Sequence, residues 1–133
     1  MTVDDPTALI VGASAEELAH AEKCLSGWQC VAVTVDDETD ARPASGAPGL
    51  VVVYARKDEK ETLGVCRQLR NAPETSDAPI LLVISRYLIS QGNAVKRMGN
   101  ADFIMTPFDE KEMRDKIAGS FGTSWPQGAG DGG

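Results

Sequence analysis

The residues of this chain with chemistry to offer are few and scattered. Three cysteines stand at Cys24, Cys30 and Cys66. An odd count at those spacings fits neither a disulfide framework nor a zinc site, so core packing is the expectation. A redox role for Cys24 with Cys30, where a helix hands over to a strand, is the alternative. His20 is the only histidine. It is expected on a helix surface, with no partner for a metal site or a nucleophile pair. Ser14 opens a helix behind Gly12, a place where an anion can meet a helix N-terminus. A single glycine there lacks the further glycines of a dinucleotide-binding loop. Tyr54 ends an apolar run, Leu50-Val51-Val52-Val53-Tyr54. A phenol with an ordinary pKa near ~10 and no base beside it is a poor nucleophile at neutral pH.

A chain of 133 residues suits one compact domain, and 42% hydrophobic residues are enough for one buried core. The net charge of −7 argues against binding nucleic acid or an anionic membrane surface, both of which attract basic proteins. No apolar stretch approaches the ~20 residues that span a bilayer. The start, Met1-Thr2-Val3-Asp4-Asp5-Pro6, lacks the basic-then-apolar order of a signal peptide, so a cytoplasmic address is the expectation.

Apolar runs alternate with helical patterns along the chain. Ala8 to Val11 reads as a buried strand ending at Gly12. Ser14-Ala15-Glu16-Glu17 has the form of a capping box for a helix to about Leu25, stopped by Gly27. Cys30 to Val35 reads as a second strand. Between Asp36 and Gly49, Pro43 allows only a short or frayed helix. Leu50 to Tyr54 is the third strand. The charged run Arg56 to Glu61 leads into a helix with Leu63, Cys66, Leu69 and the stem of Arg70 on one face, ending before Pro73. Ile80 to Ile84 is the fourth strand. A helix with Ile89, Val95 and Met98 as candidate buried positions ends at Gly99. Phe103 to Met105 is the fifth strand, broken by Pro107, and a last helix runs from about Asp109 to Phe121. This alternation predicts an α/β fold: a doubly wound, five-stranded parallel sheet of the (βα)5, flavodoxin-like kind, with its second helix short or degenerate. Function in such sheets sits at the carboxyl ends of the strands. Residues 1–121 are expected to form the domain. Residues 122–133, with five glycines and a proline, are expected to form a flexible tail or linker. Trp125 is the exception in that tail, as a mobile aromatic or a docking residue.

Two stretches carry a resemblance. One runs from Leu63 to Ser85, through Cys66-Arg67-Gln68-Leu69-Arg70-Asn71-Ala72-Pro73 to Ala78-Pro79-Ile80-Leu81-Leu82-Val83. The other is Gly99-Asn100-Ala101-Asp102-Phe103-Ile104-Met105-Thr106-Pro107-Phe108-Asp109. The second is similar to the Gly-Ala-x-x-Tyr/Phe-apolar-apolar-Lys-Pro-Phe signature of the receiver domains of bacterial two-component response regulators. Pro48 to Tyr54 resembles the same family's Pro-Asp-apolar-run-Asp strand. The resemblance covers about Ala8 to Phe121 and needs no gap from Pro48 to Pro107.

What the resemblance implies is a fold kept and a chemistry lost. The family's magnesium-holding acidic pair falls on Gly12 and Ala13, and its phosphorylated aspartate on Tyr54. Its switch Thr/Ser falls on Ile84, with Ser85 next to it, and its lysine on Thr106. Pro79, Gly99, Phe103, Pro107 and Phe108 keep positions that maintain the fold, and a cis peptide is implied at Thr106-Pro107. No carboxylate remains for magnesium, which demands oxygen ligands, so neither a metal nor another cofactor is expected. Phosphoryl transfer needs a nucleophile, a metal and a cation on the developing charge, and none of the five positions supplies one. Val35-Asp36-Asp37-Glu38 imitates the family's acidic start. Placing the first strand there would put the acceptor near Leu81 to Ser85, where no carboxylate stands. The charged run Arg56 to Glu61 departs from the family, whose members usually have apolar residues and a Pro-Gly turn there. It is expected to be a solvated face, with a partner-facing patch as the alternative.

The reading that follows is a non-enzymatic, atypical receiver, a pseudo-receiver of a phosphorelay-type pathway. It would act by protein–protein contact through the surface of Ser90 to Met98, Phe103 to Met105 and Glu110 to Ala118, with Val95, Met98, Phe103, Met105 and Met113 as candidate interface residues. The expected partner is a protein of a signalling pathway, and a homodimer through this face is left open. The alternative is a small-ligand or redox sensor, with Gly12, Ala13, Tyr54, Ile84 and Thr106 lining an emptied pocket. A third reading, chemistry relocated to Asp58, places the acceptor in a mobile loop without a metal site.

Overall fold

The computed structural model describes residues 7–33, 49–73 and 75–122. The expected short second helix, the acidic pair Asp36 and Asp37, and Trp125 lie outside the described residues. Five strands run β1 (Thr7–Val11), β2 (Gln29–Val33), β3 (Leu50–Tyr54), β4 (Ile80–Ile84) and β5 (Ala101–Met105). Four helices follow the same order: α1 (Ala15–Cys24), α2 (Glu59–Asn71), α3 (Ile89–Lys96) and α4 (Glu110–Phe121). The strands form one sheet in the order β2-β1-β3-β4-β5, and every neighbouring pair is parallel. This is the flavodoxin-like sheet that the alternation predicts.

The continuous apolar runs become strands because both of their faces are covered. Successive side chains leave the sheet on opposite sides. Ile10, Val52, Leu81 and Ile104 pack under α1 and α4 with Ala21, Cys24, Met113 and Ile117. Leu9, Val51, Leu82 and Ile84 pack under α2 and α3 with Val65, Cys66, Leu69 and Val95. Each fully buried Val, Leu or Ile contributes about 1.5–3 kcal/mol, so the two half-cores carry the stability of the domain. β2 is an edge strand and only half-buried. It begins one residue earlier than the sequence suggests.

Helix starts follow the local chemistry. The Ser14 hydroxyl accepts from the Glu17 amide at 3.1 Å, and the Glu17 carboxylate accepts from the Ser14 amide at 2.8 Å. Asp109 and Glu112 repeat this reciprocal cap at α4. Asp58 caps α2 by accepting from the Lys60 amide. Asp58 is therefore a fixed cap rather than a side chain in a mobile loop. The expected burial of Ile89 fails: it is 41% exposed, because it opens α3 straight after a 3-10 turn, Arg86–Leu88. α3 itself ends at Lys96, and the chain turns through Gly99 at φ +88.

Arg70 has a larger role than an aliphatic stem on a helix face. Its guanidinium donates to the carbonyls of Ala78 at 2.6 Å and of Gly99 and Asn100 at 2.9 Å each. It ties the loop entering β4 to the loop entering β5. Five donors in a planar fork suit this task better than a lysine would.

Candidate functional site

The carboxyl ends of β1, β3, β4 and β5 come together on one edge of the sheet. Gly12, the first residue past β1, donates to the Val33 carbonyl at 3.0 Å. Its φ of +80 lies in the left-handed region, where a side chain is strained. The chain turns there into Ala13 and the Ser14 cap. Ala55 donates to the Val83 carbonyl at 3.0 Å and Thr106 to the Ile84 carbonyl at 2.8 Å. These bonds fix where each strand stops. Ser85 is half-buried and starts the 3-10 turn without a side-chain cap. Thr106 is exposed, and the Thr106–Pro107 peptide is cis.

Tyr54 is 6% exposed and belongs to the apolar cluster under α1 and α4. Its hydroxyl donates to the Glu17 carbonyl on α1 at 3.4 Å. Burial, and then the Glu17 carboxylate with Cys24 and Cys30, pushes the phenol well above its ordinary range. A phenol held neutral in this way is a packing group and a hydrogen-bond donor. Ile84 is 1% exposed and packs on the opposite face, under α2 and α3. The structure therefore does not join Tyr54 and Ile84 as walls of one cleft, and the sequence reading is corrected there. The fault lies in treating two strand-end positions as neighbours when their side chains leave the sheet on opposite sides.

Gly12, Ala13, Tyr54, Ile84 and Thr106 offer no carboxylate, and among the described residues no group of three or more His, Cys, Asp or Glu side chains is placed to hold a metal ion. The residues present do not fit magnesium, which takes carboxylate oxygens in near-octahedral geometry.

The thiols are packing groups. Burial raises Cys30 and Cys66 to about 11 each, and burial followed by Glu110 and Asp109 raises Cys24. His20 is exposed on α1, as expected; its ring lies tilted against that of Phe108 with centroids 5.0 Å apart, and its Nε2 is 3.6 Å from Cys24 Sγ. With the thiol pKa raised, this pair holds no ready thiolate.

Two side chains that look unremarkable in the sequence hold the loop after Tyr54. Thr62 Oγ1 accepts from the Arg56 amide at 2.8 Å. Gln91, on α3 and 2% exposed, donates through Nε2 to the carbonyls of Arg56 at 2.8 Å and Lys57 at 3.2 Å. The charged run is thus anchored at its start and becomes the first turn of α2 from Glu59. A buried glutamine has no signature in sequence, where its position reads as a polar helix face.

The α3–β5–α4 surface differs from its sequence version in composition. Val95 and Met113 are fully buried in the two half-cores, so they are struck from the candidate interface. Their apolar character reflects core packing. Met98 and Phe103 are half-buried, and Met105 is 43% exposed. Between β5 and α4 lies a groove of about 480 Å³, lined by Phe103, Met105, Asp115, Lys116, Gly119 and Ser120. Under it, Asp102 accepts from the Phe103 amide at 2.7 Å and from the Ser120 hydroxyl, with Lys116 Nζ at 3.9 Å. Burial acts to raise the Asp102 carboxyl, but the Ser120 and Phe103 hydrogen bonds and Lys116 outweigh it and hold it below its ordinary value. Gly92 is buried against the ring of Phe103.

Known proteins give a consistent likeness. The chain is 25% identical over 105 residues to the probable transcriptional regulator ycf27 of Porphyridium aerugineum, a match covering 79% of this chain and 42% of that regulator. The chain thus matches less than half the length of that relative. Among solved structures, it resembles a signal receiver domain of two-component signal transduction from Clostridium thermocellum, with a TM-score of 0.72 at 17% identity over 90% of this chain and 99% of that one. It likewise resembles the N-terminal signal receiver domain of a two-component response regulator from Bacteroides fragilis, with a TM-score of 0.71 at 17% identity over 91% of this chain and the whole of the other. No protein-family model matches the chain. The fold is that of receiver domains. Among the described residues, no helix is long and apolar enough to cross a membrane.

Proposed function

We propose that this chain is a receiver of the two-component type that does not accept phosphate and that signals by protein–protein contact through its α3–β5–α4 face. One observation carries the reading. At the carboxyl end of β3, where the resemblance puts the phosphoacceptor, stands Tyr54, buried and hydrogen-bonded to the Glu17 carbonyl. Its ring packs in the apolar cluster under α1 and α4 and offers no carboxylate oxygen to a metal. The left-handed backbone at Gly12 adds to this, since an aspartate there would be strained as well as missing. The chain has no catalytic role in this reading. Its work is to present Met98, Phe103 and Met105 to a partner protein, as a monomer or a homodimer, with no metal or cofactor.

The sensor reading has no comparable support. Tyr54 and Ile84 face opposite sides of the sheet, and burial raises all three thiols.

The test is direct. The full chain is incubated with acetyl phosphate and magnesium, and its intact mass is followed. The proposal expects no hydroxylamine-sensitive phosphoryl adduct. Such an adduct, diagnostic of an acyl phosphate on a carboxylate, would overturn it.

A further inference from the structure

We infer that the surface where α3 begins beside the end of β5 docks an acidic segment of a partner protein, held by Arg86, Tyr87, Ile89 and Met105. The inference rests on the reading that this chain works through its α3–β5–α4 face, and it names the partner's chemistry. Among the described residues, the large hydrophobic side chains left exposed are Tyr87 at 79%, Met105 at 43% and Ile89 at 41%. The backbone brings all three to one place. Ile84 and Met105 are register partners, and Thr106 donates to the Ile84 carbonyl at 2.8 Å, so the turn after β4 starts beside the end of β5. Tyr87 lies in that turn, and Ile89 opens α3 from it. Gly92 meets the Phe103 ring, and Ile89 stands one turn before Gly92 on the same face of the helix. Met105 stands two residues past Phe103 on the same face of the strand. Because β4 and β5 are parallel, the helix between them runs back against the strand direction. The step from Gly92 to Ile89 and the step from Phe103 to Met105 therefore lead to the same end of the sheet. Single apolar side chains on a surface are ordinary, whereas three gathered within a polar rim mark a contact site.

The charge around the patch selects the partner. From Ser85 to Arg97 the chain carries Arg86, Lys96 and Arg97 and no acidic residue, in a protein of net charge −7. Lys57 joins them, because the Gln91 side chain donates to the Arg56 and Lys57 carbonyls at 2.8 and 3.2 Å and holds the loop after β3 against α3. Lys57, Arg86, Lys96 and Arg97 are exposed, and among the described residues none of them pairs with a carboxylate. Acidic residues of the flanking loops are already engaged: Asp58 caps α2, Glu59 accepts from the Ser90 hydroxyl at 3.3 Å, and Asp109 caps α4. The Arg86 guanidinium carbon lies 5.2 Å from the centre of the Tyr87 ring, and the guanidinium donates to the Tyr87 hydroxyl at 3.2 Å. This leaves further N–H donors of the fork to meet a carboxylate. Lys96 and Arg97 stand at the far end of α3, ~12 Å along the helix at ~1.5 Å per residue, so a segment lying along α3 meets cations at both ends. A basic segment would be repelled, and a purely apolar one would cover the patch without pairing its rim. Carboxylates interleaved with apolar side chains satisfy both.

The test titrates nitrogen-labelled full chain with a short helical peptide that has glutamate on one face and leucine and phenylalanine on the other. A second peptide has lysine in place of every glutamate. With the acidic peptide at up to ~1 mM, saturable amide shifts are expected at residues 86–97 and 105–106, and the lysine peptide is expected to produce none there. Raising the salt from ~0.01 M to ~1 M shortens the screening length from ~30 Å to ~3 Å and is expected to weaken the binding. Arg86→Glu and Tyr87→Ala are each expected to weaken it about tenfold or more. At these exposed positions both variants are expected to keep the spectrum of the rest of the domain. Absence of saturable shifts with the acidic peptide, equal shifts with both peptides, or unchanged affinity in the two variants overturns the proposal. Shifts at the same amides on concentrating the chain alone also overturn it, since the surface then serves a second copy. A chain that takes no phosphate and ignores the acidic peptide fails this inference alone, and one that binds the peptide and forms an acyl phosphate fails the phosphate reading alone.

Discussion

The hydroxyl of Tyr54 donates to the backbone carbonyl of Glu17, joining the end of β3 to the first turns of α1. That contact turns a strand-end position into core. It also sets the cost of replacing the ring. Tyr54→Phe is expected to cost about 1 kcal/mol, the net worth of one hydrogen bond. Tyr54→Asp removes a buried ring and places a carboxylate near Glu17, for an expected loss of about 3–5 kcal/mol. It is not expected to confer phosphorylation, because Gly12, Ala13 and Thr106 supply no carboxylate for a metal and no cation. Denaturant titration of the two variants, with intact-mass analysis of Tyr54→Asp after acetyl phosphate, checks both parts.

Gly92 and Phe103 form the second tight relationship. A Cβ on Gly92 would stand 2.7 Å from Cγ and Cδ2 of the Phe103 ring and 3.0 Å from Cδ1 of Ile84. The helix interior also gains from alanine in place of glycine, by about 1 kcal/mol. Overpacking costs about 1–3 kcal/mol, and with contact this short the clash dominates. Gly92→Ala is expected to destabilise the domain, and Phe103→Leu in the same chain to recover part of the loss. A double-mutant cycle measured by denaturant unfolding reads the coupling.

Asp102 makes stability depend on pH. Its folded carboxyl lies below the ordinary value of about 3.9. Its contribution is therefore complete above about pH 4 and is lost as pH falls through the folded pKa. Asp102→Asn is expected to lower stability by about 1–3 kcal/mol at pH 7, the range for hydrogen bonds to a charged group. The gap from the parent chain should narrow in acid. Unfolding midpoints at pH 7 and pH 3 test the prediction.

Arg70 is the clamp at the opposite end of the sheet from the Tyr54 site. Arg70→Lys keeps the charge but cannot serve the carbonyls of Ala78, Gly99 and Asn100 together. It is expected to cost about 1–2 kcal/mol and to speed amide exchange at the starts of β4 and β5, with β1 unaffected. Hydrogen-exchange measurements resolve the difference.

The sheet was legible in the sequence because its strands are continuous apolar runs between clear breakers, Gly12, Gly27, Pro79 and Pro107. Ser14 announced its helix by capping chemistry, and Pro107 marked the break before the last one. The site was legible only as a set of residue types. Which face Tyr54 and Ile84 occupy depends on the pleat, and a five-residue run apolar throughout carries no alternation from which to read it. Val95 and Met113 illustrate the same limit: an apolar residue on a helix is as consistent with core as with interface until the neighbouring helix is placed. Gln91, Gly92 and Arg70 act through partners distant in sequence, so no local pattern reveals them.

The proposed function requires that the strand-end site bind neither a phosphoryl group nor magnesium. Amide spectra of the full chain with magnesium and beryllofluoride, the phosphoryl mimic, test it most directly. No saturable, magnesium-dependent shift is expected at Gly12, Tyr54, Ala55, Ser85 or Thr106. Saturable shifts at those amides that require both magnesium and beryllofluoride would contradict it.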